Sequence, residues 1–269
     1  MLKHPNFDPV ALSLGKIKIH WYGLMYLFGF LAGLMLGKLR ARQAWRGWSQ
    51  QQVEDILFYI VMGIILGGRI GSVLFYNMDT FLADPLYLVR IWDGGMSFHG
   101  GFLGVVFALW LFARKHNKHF LAVGDFIAPL VPPGIAFGRF GNFINGELWG
   151  RQTDVAWGML FRHDPDGVLR HPSQLYQMAG EGIALFLILW WYSSKPRPRS
   201  AVAGAFLFGY GVFRTIAEFF REPDAHIGFL AFDFLTMGML LSMPMIVLGG
   251  AMLVYAYRKP VYDQVESKA

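Results

Sequence analysis

The 269-residue sequence contains no cysteine. That excludes an internal disulfide, a thiolate metal site and a cysteine nucleophile, so any thiol in its chemistry arrives on a partner. Charge is scarce too. Only 16% of residues are Asp, Glu, Lys or Arg, where a soluble domain carries about 25%. No HExxH or other metal-ligand spacing occurs, and no phosphate loop of the GxxxxGK type. Neither a metal nor a nucleotide cofactor is therefore expected. The chain has no internal repeat and no low-complexity tract. Its opening stretch, MLKHPNFDPVALSLGKIKIH, lacks an apolar core followed by a small-residue cleavage site. This reads as the absence of a removable signal peptide, with the first apolar span acting as an uncleaved insertion signal.

What fills the chain instead is apolar surface: 55% of residues are hydrophobic and the mean hydropathy is +0.38. Long apolar runs recur from one end to the other, which indicates a polytopic membrane protein. Spans are expected near 20–38, 54–76, 97–113, 121–138, 176–193, 201–220 and 231–257, each of about the 17–25 residues a bilayer requires. The fourth contains Pro129, Pro132 and Pro133, which predict a kink or an early end. The expected fold is thus all-α, with seven transmembrane helices in one integral-membrane domain over residues 1–269. Residues 139–175, rich in Gly, Asp and Pro, are expected to form a small extramembrane cap with little regular structure.

The net charge of +6 and pI near 9.5 suit basic loops that set topology and touch anionic lipid head groups, so no nucleic-acid partner is expected. Lys38, Arg40, Arg42 and Arg46 follow the first span. Arg114, Lys115 and Lys118 follow the third, Lys195, Arg197 and Arg199 the fifth, and Arg258 and Lys259 the last. These segments belong on the cytoplasmic side, with the N-terminus out and the C-terminus in. Lys3, Lys16 and Lys18 on the outer side strain that assignment. So do the arginines of the long fourth loop, although charge counts constrain a long loop less.

This topology gathers the polar residues at one leaflet. Tyr22 and Tyr26, Arg69, Asp93 and His99, the cluster Arg139–Glu147, the segment from His171 to Glu181, and Tyr210 to Arg221 all fall toward the outer ends of their spans. The inner halves, such as FGFLAGLML, ILFYIVMGII and GVVFALWLF, are nearly bare of polar groups. A conduction path would scatter polar residues through the full depth, so a cavity open to the outer leaflet is favoured over a pore. A charge at the bilayer centre costs about 2.5–3.5 kcal/mol on insertion scales, so Arg69, Arg214 and Glu218 must face one another, a cavity or a ligand.

Within GYGVFRTIAEFFR, Tyr210, Arg214 and Glu218 recur at helical spacing with Arg221 one further turn on. The stripe is either a self-neutralising ladder of ion pairs or an anion holder in which Glu218 and Tyr210 orient Arg214. In FGRFGNFINGELWGR, glycines permit close backbone approach and Arg139 offers a planar, permanently charged fork suited to phosphate. Asn142 and Asn145 can donate and accept. The alternative is a glycine-driven helix contact with Arg139 snorkelling. Arg69 is either a second anion contact or a counter-ion to an acidic neighbour, and stands among the lipid-binding candidates. His99, in GGMSFHGG, is either a structural hydrogen-bonding residue or a general base, since an imidazole of pKa about 6.5 suits that role. His171 reads as structural.

These segments resemble one family. GRFGNFINGELWG fits the pattern G-R-x-G-N-F-x-N-x-E-x-x-G of the bacterial prolipoprotein diacylglyceryl transferases, and HWYGLMY, GGRIG, DPLYLVRIWDGGMSFHGG, RHPSQLY and GYGVFRTIAEFFREPD are also similar to it. The resemblance runs from about His20 to Tyr257. It implies a seven-span enzyme of the bacterial inner membrane with its active site toward the periplasm. Such an enzyme moves the diacylglyceryl group of phosphatidylglycerol to the lipobox cysteine of a prolipoprotein signal peptide and releases glycerol phosphate. By motif position, Arg139 and Arg214 match arginines treated as essential. His99, Asn142, Glu147, Tyr22, Tyr210 and Glu218 match residues tied to activity or lipid binding. The loop between Arg151 and Arg170 looks short against some relatives, which leaves the shape of the cap and its peptide contacts open. Other classes fit less well. A transporter or scramblase needs polar groups at the inner leaflet, a prolipoprotein-binding chaperone does not need two arginines at head-group depth, and a lipid phosphatase normally requires an activated nucleophile or a metal.

Overall fold

The computed structural model describes residues 2–15, 17–223, 228, 230 and 234–263. Lys16, Asp224 of the last motif and the first three residues of the 231–257 span lie outside the described residues. The chain is mostly helical. Strand β1 (Leu2–Lys3) and the antiparallel hairpin β2 (Val10–Leu14) and β3 (Ile17–His20) precede α1 (Trp21–Ala41). Then come α2 (Gln50–Tyr76), α3 (Met78–Ala83), α4 (Phe98–Lys115), α5 (Phe120–Ile127) and α6 (Val131–Asn145). Strands β4 (Met159–Leu160) and β5 (Leu169–Arg170) follow, then α7 (Ser173–Gln177), a π-helical turn at Met178–Ala184, α8 (Leu185–Tyr192), α9 (Ala201–Glu218) and α10 (Met237–Arg258). Among the described residues, four helical stretches are long and apolar enough to cross a membrane: Trp21–Ala41, Gln50–Tyr76, Phe120–Asn145 and Met237–Arg258.

Local chemistry explains the boundaries. Ser49 caps α2, accepting from the Gln52 amide at 3.1 Å while the Gln52 side chain accepts from the Ser49 amide at 3.2 Å. This reciprocal pair satisfies two otherwise orphaned donors. Ser97 and Thr236 cap α4 and α10 in the same sense. At the three prolines the expected interruption takes the form of a 3₁₀ turn at Ala128–Leu130, and helix resumes at once. Pro132 and Pro133 fall in the first turn of α6, where a missing N–H breaks no intrahelical bond.

The cap differs from expectation in where it begins. Helix α6 carries Arg139, Asn142 and Asn145, so the chain leaves helix at Gly146 rather than at Arg139. Gly146 takes φ +64°, the left-handed cap that glycine adopts without penalty. The segment beyond has little regular structure, as expected: two strands of two residues each. Strand β4 pairs parallel with β1 and antiparallel with β5 in a small three-stranded sheet.

The chain forms two compact units. In the unit of residues 37–124, α2 and α4 pack through glycine. A Cβ at Gly63 would lie 2.7 Å from the Gly104 carbonyl oxygen, and one at Gly71 would lie 2.7 Å from Gly100 Cα. Helices that lack a solvent-driven hydrophobic term depend on such close backbone contact. The unit of residues 1–36 and 125–264 holds a core of Ala128, Leu185, Leu189 and Val202, with Tyr210 and Phe213 packed against it.

Candidate active site

The centre of the larger unit is a chain of ion pairs. Arg139 Nη2 on α6 lies 3.6 Å from Glu181 Oε2, and Arg214 Nη1 on α9 lies 3.7 Å from Glu181 Oε1. Arg214 Nη2 then meets Glu218 Oε1 at 2.5 Å, and Arg221 Nη1 meets the same oxygen at 3.3 Å. In these four contacts three guanidiniums alternate with two carboxylates. The carboxylates are buried, Glu181 at 0% and Glu218 at 1% side-chain exposure. Buried charges persist only where partners offset the loss of hydration. Tyr210, one turn before Arg214 on α9, neighbours Arg139, Arg214 and Glu181.

The two acids are held differently. Glu218 is fully engaged, since Thr236 Oγ1 also donates to its Oε2 at 2.6 Å. Arg151 anchors the same helix end by donating to the carbonyls of Glu218 at 3.1 Å and Arg221 at 3.0 Å. Glu181 is loosely held. Among the described residues neither of its oxygens, nor Arg214 Nη1, has a hydrogen-bond partner, because 3.6–3.7 Å exceeds an N–H···O bond.

The sequence MAGEGIA explains how an acid comes to lie between two helices. A Cβ on Gly182 would sit 2.6 Å from Ala136 Cβ of α6, and one on Gly180 would sit 3.0 Å from the Phe213 ring of α9. The flanking glycines therefore let both arginine-bearing helices close onto Glu181. The turn is π-helical, a distortion often found at functional sites. Sequence reading placed Glu181 among the outer polar residues without a role. The available signal was a lone acid at the head of the apolar run GIALFLILWW.

Beside this chain of charges, Asn142 Nδ2 and Asn145 Nδ2 donate to Glu147 Oε1 at 2.9 and 3.2 Å. Gln174 donates to the Glu147 carbonyl at 2.6 Å, and Ser173 to that of Leu148 at 2.9 Å. Glu147 is thus bound to the end of α6 and to α7. On α1, the hydroxyls of Tyr22 and Tyr26 are 3.2 Å apart. A Cβ on Gly141 would come within 3.0 Å of the Tyr22 ring, so that glycine seats Tyr22 against α6.

Arg139, Arg214, Tyr210 and Glu218 are therefore brought together, with Tyr22, Asn142 and Glu147 in the same unit. Arg69 departs from expectation. Among the described residues it pairs with no acid, and its N–H groups point at backbone: Nε to Leu88 O at 3.1 Å, Nη1 to the carbonyls of Gly94 and Gly95, Nη2 to those of Tyr87 and Arg90. A guanidinium has five N–H donors, and all are used. Its plane also stacks on the Tyr87 ring. Arg69 clamps the loop that leads to α4, which leaves no donor for a lipid phosphate. His99 lies in the first turn of α4, exposed, its ring edge-on to Phe98. His171 donates or accepts at Tyr176 Oη, 3.0 Å away, and packs on Phe220, as a structural histidine would.

Membrane-length helices and a buried chain of guanidinium–carboxylate pairs define a helical membrane-type protein with a charged site in its interior. Residues 9–255 match the prolipoprotein diacylglyceryl transferase family, and the chain belongs to that family. It is 59% identical over 262 residues to the phosphatidylglycerol–prolipoprotein diacylglyceryl transferase of Cupriavidus metallidurans, covering 96% of this chain and 97% of that protein. The enzymes of that name from Legionella pneumophila (56% over 249 residues; 93% and 97%) and Marinomonas sp. (54% over 254 residues; 94% and 94%) are also similar.

Proposed function

We propose that this chain is a transferase that moves the diacylglyceryl group of phosphatidylglycerol to the lipobox cysteine of prolipoproteins, the first step of lipoprotein maturation. The observation that carries this reading is the meeting of Arg139 and Arg214 at one carboxylate, 3.6 and 3.7 Å away. Two guanidiniums that share so small a space can both reach one phosphate.

In the reaction the peptide thiol loses its proton and the sulfur attacks the glycerol carbon that bears the phosphodiester. A C–S bond forms, the C–O bond breaks, and glycerol phosphate leaves with the electron pair and one more negative charge. A free thiol of pKa about 8.5 is only a few per cent ionised at neutral pH, so an electropositive site helps to generate the nucleophile. Arg139 and Arg214 bind the leaving phosphate more strongly as its charge grows, which lowers the barrier rather than merely tightening binding. Tyr22, Tyr210, Asn142, Glu147 and Glu218 are assigned to holding the lipid and the arginines. His99 is assigned to accepting the thiol proton on the strength of its motif, GGMSFHGG. Arg69 is assigned to the fold.

The chain is read as one integral-membrane protein of the bacterial inner membrane. It would have seven spans, N-terminus out and C-terminus in, with the site and the cap beyond Gly146 toward the periplasm. Its partners are phosphatidylglycerol, the prolipoprotein signal peptide and the surrounding lipids. The test is to incubate the purified protein with phosphatidylglycerol and a lipobox peptide. Glycerol phosphate and a thioether-linked peptide are expected, and neither should form with a Cys→Ser peptide. Absence of glycerol phosphate with the cysteine peptide would refute the reading.

A further inference from the structure

Gln177 is a buried polar residue whose amide the fold does not use. It closes α7 and is 1% exposed. Among the described residues, neither its Nε2 nor its Oε1 has a hydrogen-bond partner. Exchanging the two amide atoms changes nothing, since both are unengaged. Buried polar groups nearly always have partners, and leaving one unpaired costs more than a typical hydrogen bond contributes.

Helical spacing places this amide. Gln174, Gln177 and Glu181 follow one another at i, i+3 and i+7, which puts them on one face. The residues on either side of Gln177 on that face both meet the α6 segment. Gln174 Nε2 donates to the Glu147 carbonyl at 2.6 Å, and Glu181 pairs with Arg139 at 3.6 Å. Gln177 therefore lies one turn from the carboxylate on which Arg139 and Arg214 converge. Gln174, also 1% exposed, leaves its own Oε1 unengaged. The face thus offers one amide donor group and two carbonyl acceptors close to two guanidiniums.

Hydroxyls match that set, because each both donates and accepts. The glycerol that leaves with the phosphate of phosphatidylglycerol carries two of them. An ethanolamine ammonium donates but cannot accept, so it would leave Gln177 Nε2 unpaired and bring a positive charge toward the arginines. An alkyl head group would leave every one of these groups unpaired.

We propose that Gln177 is a specificity-determining residue that binds the hydroxyls of the glycerol head group, one turn from the arginines that hold its phosphate. The proposal rests on the phosphatidylglycerol reading above. Gln174 Oε1 stands beside it as a further acceptor, held in place by the bond from its own Nε2 to Glu147.

The experiment compares wild type and Gln177→Met in the purified transfer assay with a lipobox peptide. The lipids are phosphatidylglycerol and phosphatidylethanol, which has the same charge and no head-group hydroxyl. Methionine keeps the length of the side chain and removes the amide. The KM for phosphatidylglycerol should rise at least about tenfold. The constant for phosphatidylethanol, measured as KM or as an inhibition constant in competition with phosphatidylglycerol, should stay within about threefold of wild type. A merely structural role for Gln177 would shift both lipids together, and that result overturns the proposal. So does a rise confined to the KM for the peptide, which would put the peptide backbone at this amide. Should the methionine variant fail to accumulate, Gln177→Asn is judged by the same ratio. Wild type alone also decides: less than about threefold preference for phosphatidylglycerol over phosphatidylethanol refutes the idea. Failure of the wild-type protein to release any glycerol phosphate would instead refute the underlying function.

Discussion

Arg139 and Arg214 come from different helices and reach the same carboxylate, so the shape of the guanidinium matters as much as its charge. A lysine ammonium is a point donor and cannot copy the planar fork. Arg139→Lys is expected to lower diacylglyceryl transfer by more than about a hundredfold, the scale of losing a transition-state donor. Near-normal lipidation by that variant would count against the phosphate role. Arg69 makes the contrasting case. Its donors all serve backbone carbonyls of the 87–95 loop, so Arg69→Gln should leave buried acceptors unpaired at about 1–3 kcal/mol each. A large fall in thermal stability in detergent is expected, and intact stability would show the clamp to be dispensable. Charged residues in apolar runs are conspicuous, which is why Arg139, Arg214 and Glu218 stood out in the sequence. The role of Arg69 did not, because its acceptors are main-chain atoms that residue types do not report.

The π-helical turn at Met178–Ala184 is where local sequence and tertiary contact meet. Gly182 faces Ala136, one turn before Arg139, and Gly180 faces Phe213, the residue before Arg214. Side chains at either glycine would push an arginine-bearing helix away from Glu181. Gly182→Val is expected to abolish transfer and destabilise the protein by about 1–3 kcal/mol or more, as over-packing does. An active, stable variant would show that the approach of α6 is not required. Helix existence was legible from apolar run length. The 3₁₀ turn at Ala128–Leu130 was only half legible: proline forbids an internal hydrogen bond, but whether a helix stops or restarts depends on where its next first turn falls.

Beyond the helices, the cap is held by charge. Arg170 Nε and Nη2 bond Asp164 at 2.7 and 3.0 Å, and Arg170 also pairs with Asp166 at 2.5 Å and with Glu222 at 3.2 Å. Burial raises the pKa of Asp164, but the bonds from Arg170 outweigh it and hold the carboxyl below its usual range. A depressed carboxylate contributes stability that is complete above its unfolded value and is lost as pH falls through the folded one. His171 is held below its usual value by burial, against an opposing pull from Asp154. Protonation therefore favours the unfolded cap once pH falls below about 6.5. Amide protection factors in residues 150–171, taken relative to the intrinsic exchange rate at each pH, are expected to fall in two stages, first below about pH 6.5 and again below about pH 4, and constant protection factors across that range would contradict both assignments. The natural lack of cysteine also makes the orientation testable. In intact spheroplasts an impermeant maleimide should label Asp166→Cys but not Ser194→Cys, and the reverse pattern would invert the proposed topology.

Composition and run length were sufficient for a helical membrane protein, because the bilayer accepts only long apolar segments with their backbone bonds satisfied internally. They were sufficient too for the list of polar residues such a protein would not carry without a use. Which of those residues belong to one site was decided in three dimensions. Arg139, Glu181 and Arg214 lie on three separate segments of chain, and only the packing of α6 and α9 around a glycine-flanked turn brings both guanidiniums within 4 Å of the Glu181 carboxylate. Helical spacing orders side chains along one axis, but the rotation of one helix against another is settled by side-chain and glycine contacts that no single segment contains.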